Sequence, residues 1–560
     1  MITRIAVKRP ANASPVIDRV VAVLKRQIES RCSATVEVGM VHPDYTIELG
    51  IDSGLSSESY AVTPMDDRGV RITGHDDRGI LYGVGRWLRT SRYEAAGFTP
   101  GTWRGASAPA KPWRAVYLAT HFSNFYQQAP IQKVVDYVED LALWGTNTII
   151  VWYDMHHYLH AREPAAVAMQ ERLKRILHAA KAIGLDVGLT CLGNEAYAGS
   201  PSELRADYQT GRAVYHVELC PNRPGAMEQM LRWFDEELEI FAEVHPDYLA
   251  LGPYDQGGCA CAACKPWGAN GYLKIARAKA ERARARFPGI RTILSTWLFD
   301  HGRDQGEWQG LAEAFATPPD WCHYIMADSH TTYPTYPLTQ GVPGGLPLLN
   351  FPEISMWNMH PWGGFGANPL PHRFGELWQK VKAHLDGGMP YSEGIYEDIN
   401  KVLCLQWYWA PDRCAEEIVK EYAAFEYSPD VADEVWRAIG ILEANHGHIW
   451  AINWTLRYHY RFIQGALGEV GNTREAVARL TAADARLSPQ ARASWRWRIL
   501  LLRALIDHEL SSTSGLLATE ACERHFEELT AIYHAEQAEY KCAPPTRQSV
   551  LAMRATERTV

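Results

Sequence analysis

The chain has 560 residues, too many for one hydrophobic core, so roughly two to four domains are expected. Hydrophobic residues make up 47% and charged residues 22%, an ordinary globular balance that argues against long disordered segments. The net charge of −9 leaves no basic footprint, which sets nucleic acid aside as an expected partner.

The first hundred residues read as an α/β unit. Residues 2–7 form a short apolar run, and residues 16–28 carry apolar side chains at helical spacing. Residues 35–41, 45–51 and 59–62 alternate like strands, and residues 69–73 follow a turn at Asp66-Asp67-Arg68. His75-Asp76-Asp77 opens a helix over 78–89, with acidic residues at its positive end. The GVGR inside that helix is therefore no dinucleotide fingerprint. Residues 98–113, rich in Pro, Gly, Ser and Ala, read as a linker. The unit 1–108 is expected to be a separate layer that supplies no catalytic group.

After the linker, short apolar runs alternate with helical patterns. The expected strands are 115–120, 148–152, 186–191, 248–252, 292–296, 323–327, 346–350 and 388–392. The helices between them are expected at 131–143, 165–183, 225–244, 272–286, 307–316 and 374–385. Residues 331–345, rich in Pro and Gly, show no helix where one should follow the sixth strand. Eight buried runs alternating with helices imply a closed (β/α)8 barrel, a TIM barrel, over residues 112–411. From residue 412 to 560 the periodicity is helical, at 415–425, 431–446, 473–487, 494–510 and 519–538. The fold class is thus α/β: a TIM barrel with an N-terminal α/β domain and a C-terminal helical domain.

In such a barrel the residues just after each strand converge on one face. Here those positions hold His121 and Asn124; Asp154, His156 and His157; Asn194 and Glu195; Asp255 and Gln256; Trp297 and Asp300; Asp328 and His330; Glu353 and Trp357; and Glu393, Glu397 and Asp398. Singly, a loop carboxylate is usually solvated or caps a helix. Recurrence after each strand points to a site. Glycosidic cleavage needs two carboxyl groups, one to protonate the leaving oxygen and one to act as base or nucleophile. Asp255, ending the apolar strand YLALGPYDQGG, suits the acid, and Glu353 or Glu393 its partner. Glu397 and Asp398 suit capping or orienting roles. The remaining polar and aromatic groups, namely His121, Asn124, Asp154, His156, Asn194, Glu195, Gln256, Trp297, Asp328, His330 and Trp357, suit substrate binding. The 20 Trp and 27 Tyr fit either large cores or platforms for flat sugar faces.

Cys259-Ala-Cys261-Ala-Ala-Cys264 is the sharpest local motif. Thiolates this close suit a structural zinc, with Cys220 or Cys191 as the fourth ligand; free thiols in a loop are the alternative. No cofactor is expected for catalysis. Eleven cysteines, an odd number spread over a long chain, do not form a disulfide framework. With a start, MITRIAVKRPANASP, that lacks an apolar h-region, and no run able to span a bilayer, a cytoplasmic protein without a membrane partner is expected. Homo-oligomerisation is left open.

The segment DDRGILYGVGRWLR (76–89) resembles the helix that closes the N-terminal α/β domain of β-N-acetylhexosaminidases and α-glucuronidases. The segments WRAVYLATHFSNFY, YDQGGCACAAC and YSEGIYEDINKVLCLQWYWAPD look like bacterial relatives of those enzymes. This resemblance implies an exo-acting glycoside hydrolase with a carbohydrate substrate. In the hexosaminidases a carboxylate pair follows the fourth strand, whereas this chain reads Asp255-Gln256. Gln cannot serve as an acid, so the α-glucuronidase pattern, an inverting acid with a separate base, is the closer analogy. A catalytically silent sugar-binding barrel and a metal-dependent barrel hydrolase using the histidines are the rival readings.

Overall fold

The computed structural model describes residues 1–66, 68–121, 124–208, 216–254, 258–301, 304–329, 332–355, 366–445, 470–512 and 519–536. The N-terminal sheet has six strands in the order Thr35–Val38, Arg4–Lys8, Tyr45–Ile51, Gly69–Gly74, Tyr60–Asp66 and Gly105–Ser107. The first four run parallel and the last two pair antiparallel. The segment read as a linker is therefore structured. Its Gly105–Ser107 stretch adds an edge strand against Tyr60–Val62, and Gly97–Thr99 forms a hairpin with Arg92–Glu94. Its prolines, Pro100, Pro109 and Pro112, fall outside these short strands, where no ladder hydrogen bond is asked of them.

Helix Asp77–Arg89 starts where Asp76 accepts the Gly79 N–H at 2.8 Å. Its glycines serve close approach. A Cβ on Gly83 would lie 2.6 Å from Ile72 of the sheet, and one on Gly85 would lie 2.3 Å from the Leu143 carbonyl of the first barrel helix. The helix is thus held between the sheet and the barrel. The neighbouring helix Pro15–Glu29 reaches the same barrel helix through Arg19 and Arg26, which both pair with buried Glu139.

The barrel strands are Trp113–Leu118, Thr148–Trp152, Asp186–Leu192, Tyr248–Gly252, Arg291–Ser295, Tyr324–Ser329 and Leu348–Pro352, with the eighth split into Gly387–Gly388 and Tyr391–Ser392. All pairings are parallel, and the first strand pairs with both the second and the eighth, closing the sheet. Runs such as TIIVW are buried along their whole length, because a parallel barrel covers both faces of each strand. Inward side chains form their own cluster, including Trp113, Tyr117, Ile150, Trp152, Tyr248, Met326, Phe351 and Tyr391. The eighth strand, expected as one piece, breaks at Met389-Pro390, since Pro390 has no N–H to donate to the ladder. After the sixth strand, where no helix was expected, the chain makes a short one at Thr335–Thr339 and a single turn at Pro343–Gly345. The other barrel helices are Ile131–Leu143, Pro164–Ala182, Ala226–Ile240, Gly271–Arg286, Glu307–Ala314 and Pro371–Val381.

Beyond the barrel, Asp398–Trp409 is buried at every position and leads into helices Ala415–Glu426, Ala432–Asn445, Val470–Asp484, Trp495–Ser512 and Glu520–Tyr533. Trp450, Trp454, Tyr458 and Tyr460, aromatics that suit either core or site wall, lie outside the described residues. Glu421 ties the layers together. Its carboxylate accepts from Arg86 at 2.7 Å, Arg89 at 2.8 Å and Arg413 at 2.7 Å. Burial works to raise its pKa, but the three guanidinium groups hold it far below the usual carboxylate range. A depressed carboxylate contributes stability above its unfolded pKa that is lost only as pH falls toward the folded value. Glu421→Ala, which leaves buried guanidinium charge uncompensated, should destabilise the protein by about 3–5 kcal/mol in chemical denaturation at pH 7. The deficit should shrink only in strong acid. A loss below about 1 kcal/mol at pH 7 would show that solvent already compensates these charges.

Candidate active site at the barrel mouth

A cavity opens at the C-terminal ends of the strands. Trp152, Tyr254, Trp297, Phe351 and Tyr391 wall it, His121 lies on its lining, and Glu353 supplies the carboxylate among the described lining residues. Each comes from a strand end or the residues just after one, which is how a barrel brings distant sequence segments to one place.

Glu353 follows the seventh strand and bridges in parallel register to Tyr391 of the eighth. Its side chain is buried and accepts a hydrogen bond from the Trp297 indole N–H. Glu393 sits two residues beyond Tyr391. The Tyr391 hydroxyl donates to Glu393 Oε1 at 2.5 Å and lies 2.7 Å from His121 Nε2. His121, Tyr391 and Glu393 therefore form one chain of hydrogen bonds across the seam where the barrel closes. Tyr391, not singled out by sequence, links the two.

The turn carrying Glu393 is held from behind. Glu397 accepts from the Glu393 and Gly394 N–H groups and from the Ser392 hydroxyl, each at 2.8 Å. Burial works to raise the Glu397 pKa, and Lys401 with these hydrogen bonds brings it below the usual range. Lys401, buried on the following helix, donates to Ser392 Oγ at 2.7 Å and the Gly394 carbonyl at 2.5 Å. Tyr533 of the last described helix donates to the Glu393 carbonyl at 2.8 Å. Asp398 accepts from Tyr137 at 2.6 Å, Tyr422 at 2.7 Å and Arg496 at 2.8 Å, joining barrel and C-terminal helices.

Next to this seam, after the second strand, His156 is caged by carboxylates. Its Nδ1 lies 2.8 Å from Asp154 and 3.6 Å from Glu195, and its Nε2 lies 3.5 Å from Glu218. Burial works to lower its pKa, but Asp154, Glu195 and Glu218 together push it up to about 9. His157 also contacts Asp154, at 3.1 Å. Glu195 accepts from the Trp152 indole at 3.0 Å and the Met155 and Leu192 N–H groups, so it orients the cavity's tryptophan. His121 meets the same ring edge-on, centroids 4.9 Å apart. Glu218 was invisible as a site residue in the sequence, since it lies far from any strand end.

Asn124 closes a capping box on helix Phe125–Gln128, and its amide donates to the Ala119 carbonyl at 2.5 Å. Asn194 donates to the carbonyls of Leu219 and Gly258 and accepts the Gly258 N–H at 3.0 Å. Both amides are thus engaged by backbone. Asp328 lies on the sixth strand, in register with Phe351. Asp300 accepts the Glu307 N–H at 2.7 Å. Glu307 in turn binds the Tyr254 hydroxyl and the Gly268 and Asp300 N–H groups, linking the segments after the fourth and fifth strands. Asp255, Gln256, His330 and Trp357 lie outside the described residues.

The cysteine motif is brought together with Cys220: the four sulfurs of Cys220, Cys259, Cys261 and Cys264 lie within 4.8 Å of one another. Cys191 is elsewhere, 3.7 Å from Lys279 Nζ.

The closed parallel barrel with its N-terminal α/β sheet is a fold shared with solved glycoside hydrolases. No protein-family model and no curated protein matches the sequence. Among solved structures, the family GH115 4-O-methyl-α-glucuronidase BtGH115A, with specificity for decorated arabinogalactans, is similar over 97% of this chain and 78% of its own, at 12% identity and a TM-score of 0.65. A GH138 enzyme targeting pectin rhamnogalacturonan II is similar over 99% of this chain and 98% of its own, at 11% identity and a TM-score of 0.56. The GH20 β-N-acetylhexosaminidase from Streptomyces coelicolor A3(2) is similar over 78% of this chain and 92% of its own, at 16% identity and a TM-score of 0.54. At these identities the likeness is one of fold, and it is the fold that the sequence motifs of the α-glucuronidase and hexosaminidase group imply. No described helix is long and apolar enough to cross a membrane.

The His156 cage makes stability depend on pH. A histidine whose pKa rises on folding contributes stability that is full below its unfolded value, near 6.5, and is lost as pH climbs through the folded value, about 9. His156→Gln should cost about 3–5 kcal/mol at pH 6, the usual loss when one member of a buried charge cluster is removed. The deficit relative to wild type should narrow as pH rises through 9. A deficit constant from pH 6 to 10 in urea unfolding would mean that the ring is neutral in its cage.

Proposed function

We propose that the protein is an exo-acting glycoside hydrolase that removes a terminal sugar with inversion, using Asp255 as general acid and Glu353 as general base. The observation that carries this reading is Glu353 itself: a buried carboxylate on the lining of a cavity walled by Trp152, Trp297 and Tyr391 at the mouth of a (β/α)8 barrel. Aromatic walls suit the apolar faces of sugar rings. The Trp297 indole N–H donates to Glu353 and so helps fix the position from which a base would take a proton from water. Asp255 follows the fourth strand, Tyr248–Gly252, by three residues in sequence. Glu393, bound to Tyr391 and backed by Glu397 and Lys401, suits a positioning role through the Tyr391 hydroxyl.

Glycoside hydrolase neighbours in the structure comparison support a carbohydrate substrate for this fold. The metal-dependent alternative keeps a candidate ligand set, because Asp154, His156 and Glu195 each offer a ligand atom within 4.8 Å of the others; activity that survives exhaustive chelation would remove it. A silent sugar-binding barrel would share the aromatic walls and use Glu353 only to accept from a sugar hydroxyl, so turnover is what separates the two readings.

Purified protein should cleave terminal residues from members of a panel of aryl glycosides and natural oligosaccharides. Asp255→Asn and Glu353→Gln should each lower turnover on unactivated substrates by roughly 10²–10⁴-fold. On substrates whose leaving group needs no proton, the Asp255→Asn loss should shrink while the Glu353→Gln loss persists. The first product seen by NMR should have the opposite anomeric configuration to the substrate. Near-normal turnover of Asp255→Asn on an unactivated substrate would remove it as the acid. Retention at the anomeric carbon would instead make the second carboxylate a nucleophile.

A further inference from the structure

We propose that Cys220, Cys259, Cys261 and Cys264 bind one zinc ion as four thiolates, and that this closed site fixes the segment after the fourth barrel strand to the segment after the third. Three of the sulfurs come from the six residues 259–264 and the fourth from residue 220, more than thirty-eight positions away in sequence. Cys220 Sγ lies 3.8 Å from both Cys261 Sγ and Cys264 Sγ. A tetrahedral zinc with Zn–S bonds of about 2.3 Å separates its sulfurs by about 3.8 Å, the edge of that tetrahedron. A disulfide needs about 2.05 Å, and all four cysteines are free.

The surroundings are built to hold this arrangement. The Cys264 N–H donates to the Cys261 carbonyl at 3.0 Å, closing a tight turn between two of the sulfurs. The Asn222 amide donates to Cys264 Sγ at 3.2 Å and to the Ala263 carbonyl, the sort of contact that stabilises a thiolate. The Cys220 N–H donates to the Leu204 carbonyl at 2.9 Å, and the Ala260 N–H to Asp207 at 2.6 Å. Asn194 then ties Leu219 to Gly258, the residues preceding two of the cysteines. Four thiolates leave no position open, so the site is structural. A tetrahedral set of four thiolates without an open position suits zinc. Asp255 precedes Cys259 by four positions, so the ion would also steady the chain that carries it.

Full-length protein, purified without chelator, should contain one zinc per chain by elemental mass spectrometry. Replacement of the zinc by Co²⁺ should produce the thiolate-to-cobalt charge-transfer absorption of a four-sulfur site. Both readouts use the unaltered sequence, so neither depends on a variant folding. Cys261→Ser and Cys264→Ser should each lower the zinc content by more than about tenfold, as loss of a ligand requires. Glu353→Gln should keep one zinc per chain, which separates this site from the glycosidase reading. Chelation should lower the melting temperature by at least about 5 °C. Wild-type protein with less than a tenth of an equivalent of metal, or with iron in place of zinc, would overturn the proposal. So would disulfides among these cysteines by mass mapping, or a cobalt form without thiolate absorption.

Discussion

Closure of the barrel is the constraint on which the site depends. The first strand must pair with the second on one side and the eighth on the other, and the eighth is short and interrupted. Gly387 makes the join, with φ of 147° and no side chain, where a Cβ would stand 1.8 Å from the Trp113 carbonyl. Its neighbour Gly388 leaves room for the Tyr408 hydroxyl, where a Cβ would meet it at 2.2 Å. Only with the seam shut do His121, after the first strand, and Tyr391, on the eighth, come within 2.7 Å. The hydrogen-bond chain that orders Glu393 is thus a consequence of closure and does not exist in either strand alone.

Around that seam, the buried charges sort by what compensates them. Asp398 is matched by Arg496 and two tyrosine hydroxyls, Glu397 by Lys401 and backbone N–H groups, and Asp154 by the rings of His156 and His157. Such groups cost desolvation energy and return it as fixed geometry. They hold Trp152, the Glu393 turn and the C-terminal helices in place. Glu353 differs in that it borders a cavity and touches an aromatic wall. A carboxylate there can exchange a proton with a bound molecule, whereas a carboxylate locked between arginines cannot.

Much of this was legible in the sequence, and the reasons are specific. The strands could be found because a parallel barrel buries both faces, leaving short unbroken apolar runs such as TIIVW and YLALG bounded by polar residues. Glu353 and His121 were expected at the barrel mouth because strand ends are where a barrel gathers side chains, and both line the cavity there. The cysteine cluster could be found from spacing, and Cys220 was one of two stated choices for its fourth member. Asn124 shows the limit of position alone: it follows a strand, yet a capping box engages its amide. Tyr391, Glu218, Lys401 and Glu307 escaped for a common reason. Each acts through a partner distant in sequence, and a tyrosine inside a strand or a lysine inside an apolar helix carries no local mark of that partner. The break at Pro390 was legible in principle, because a proline within a strand cannot complete its ladder.

Everything proposed for the chemistry requires that the cavity beside Glu353 bind the sugar that is cleaved. A crystal structure of Glu353→Gln protein soaked with an oligosaccharide that the wild-type protein cleaves would show this without intermediaries. The expected density is a terminal sugar ring packed on Trp297 and Tyr391, with the scissile oxygen toward Asp255 and a water held between the anomeric carbon and the amide at the substituted position. A sugar bound on another face of the molecule, with this cavity filled only by solvent, would contradict it.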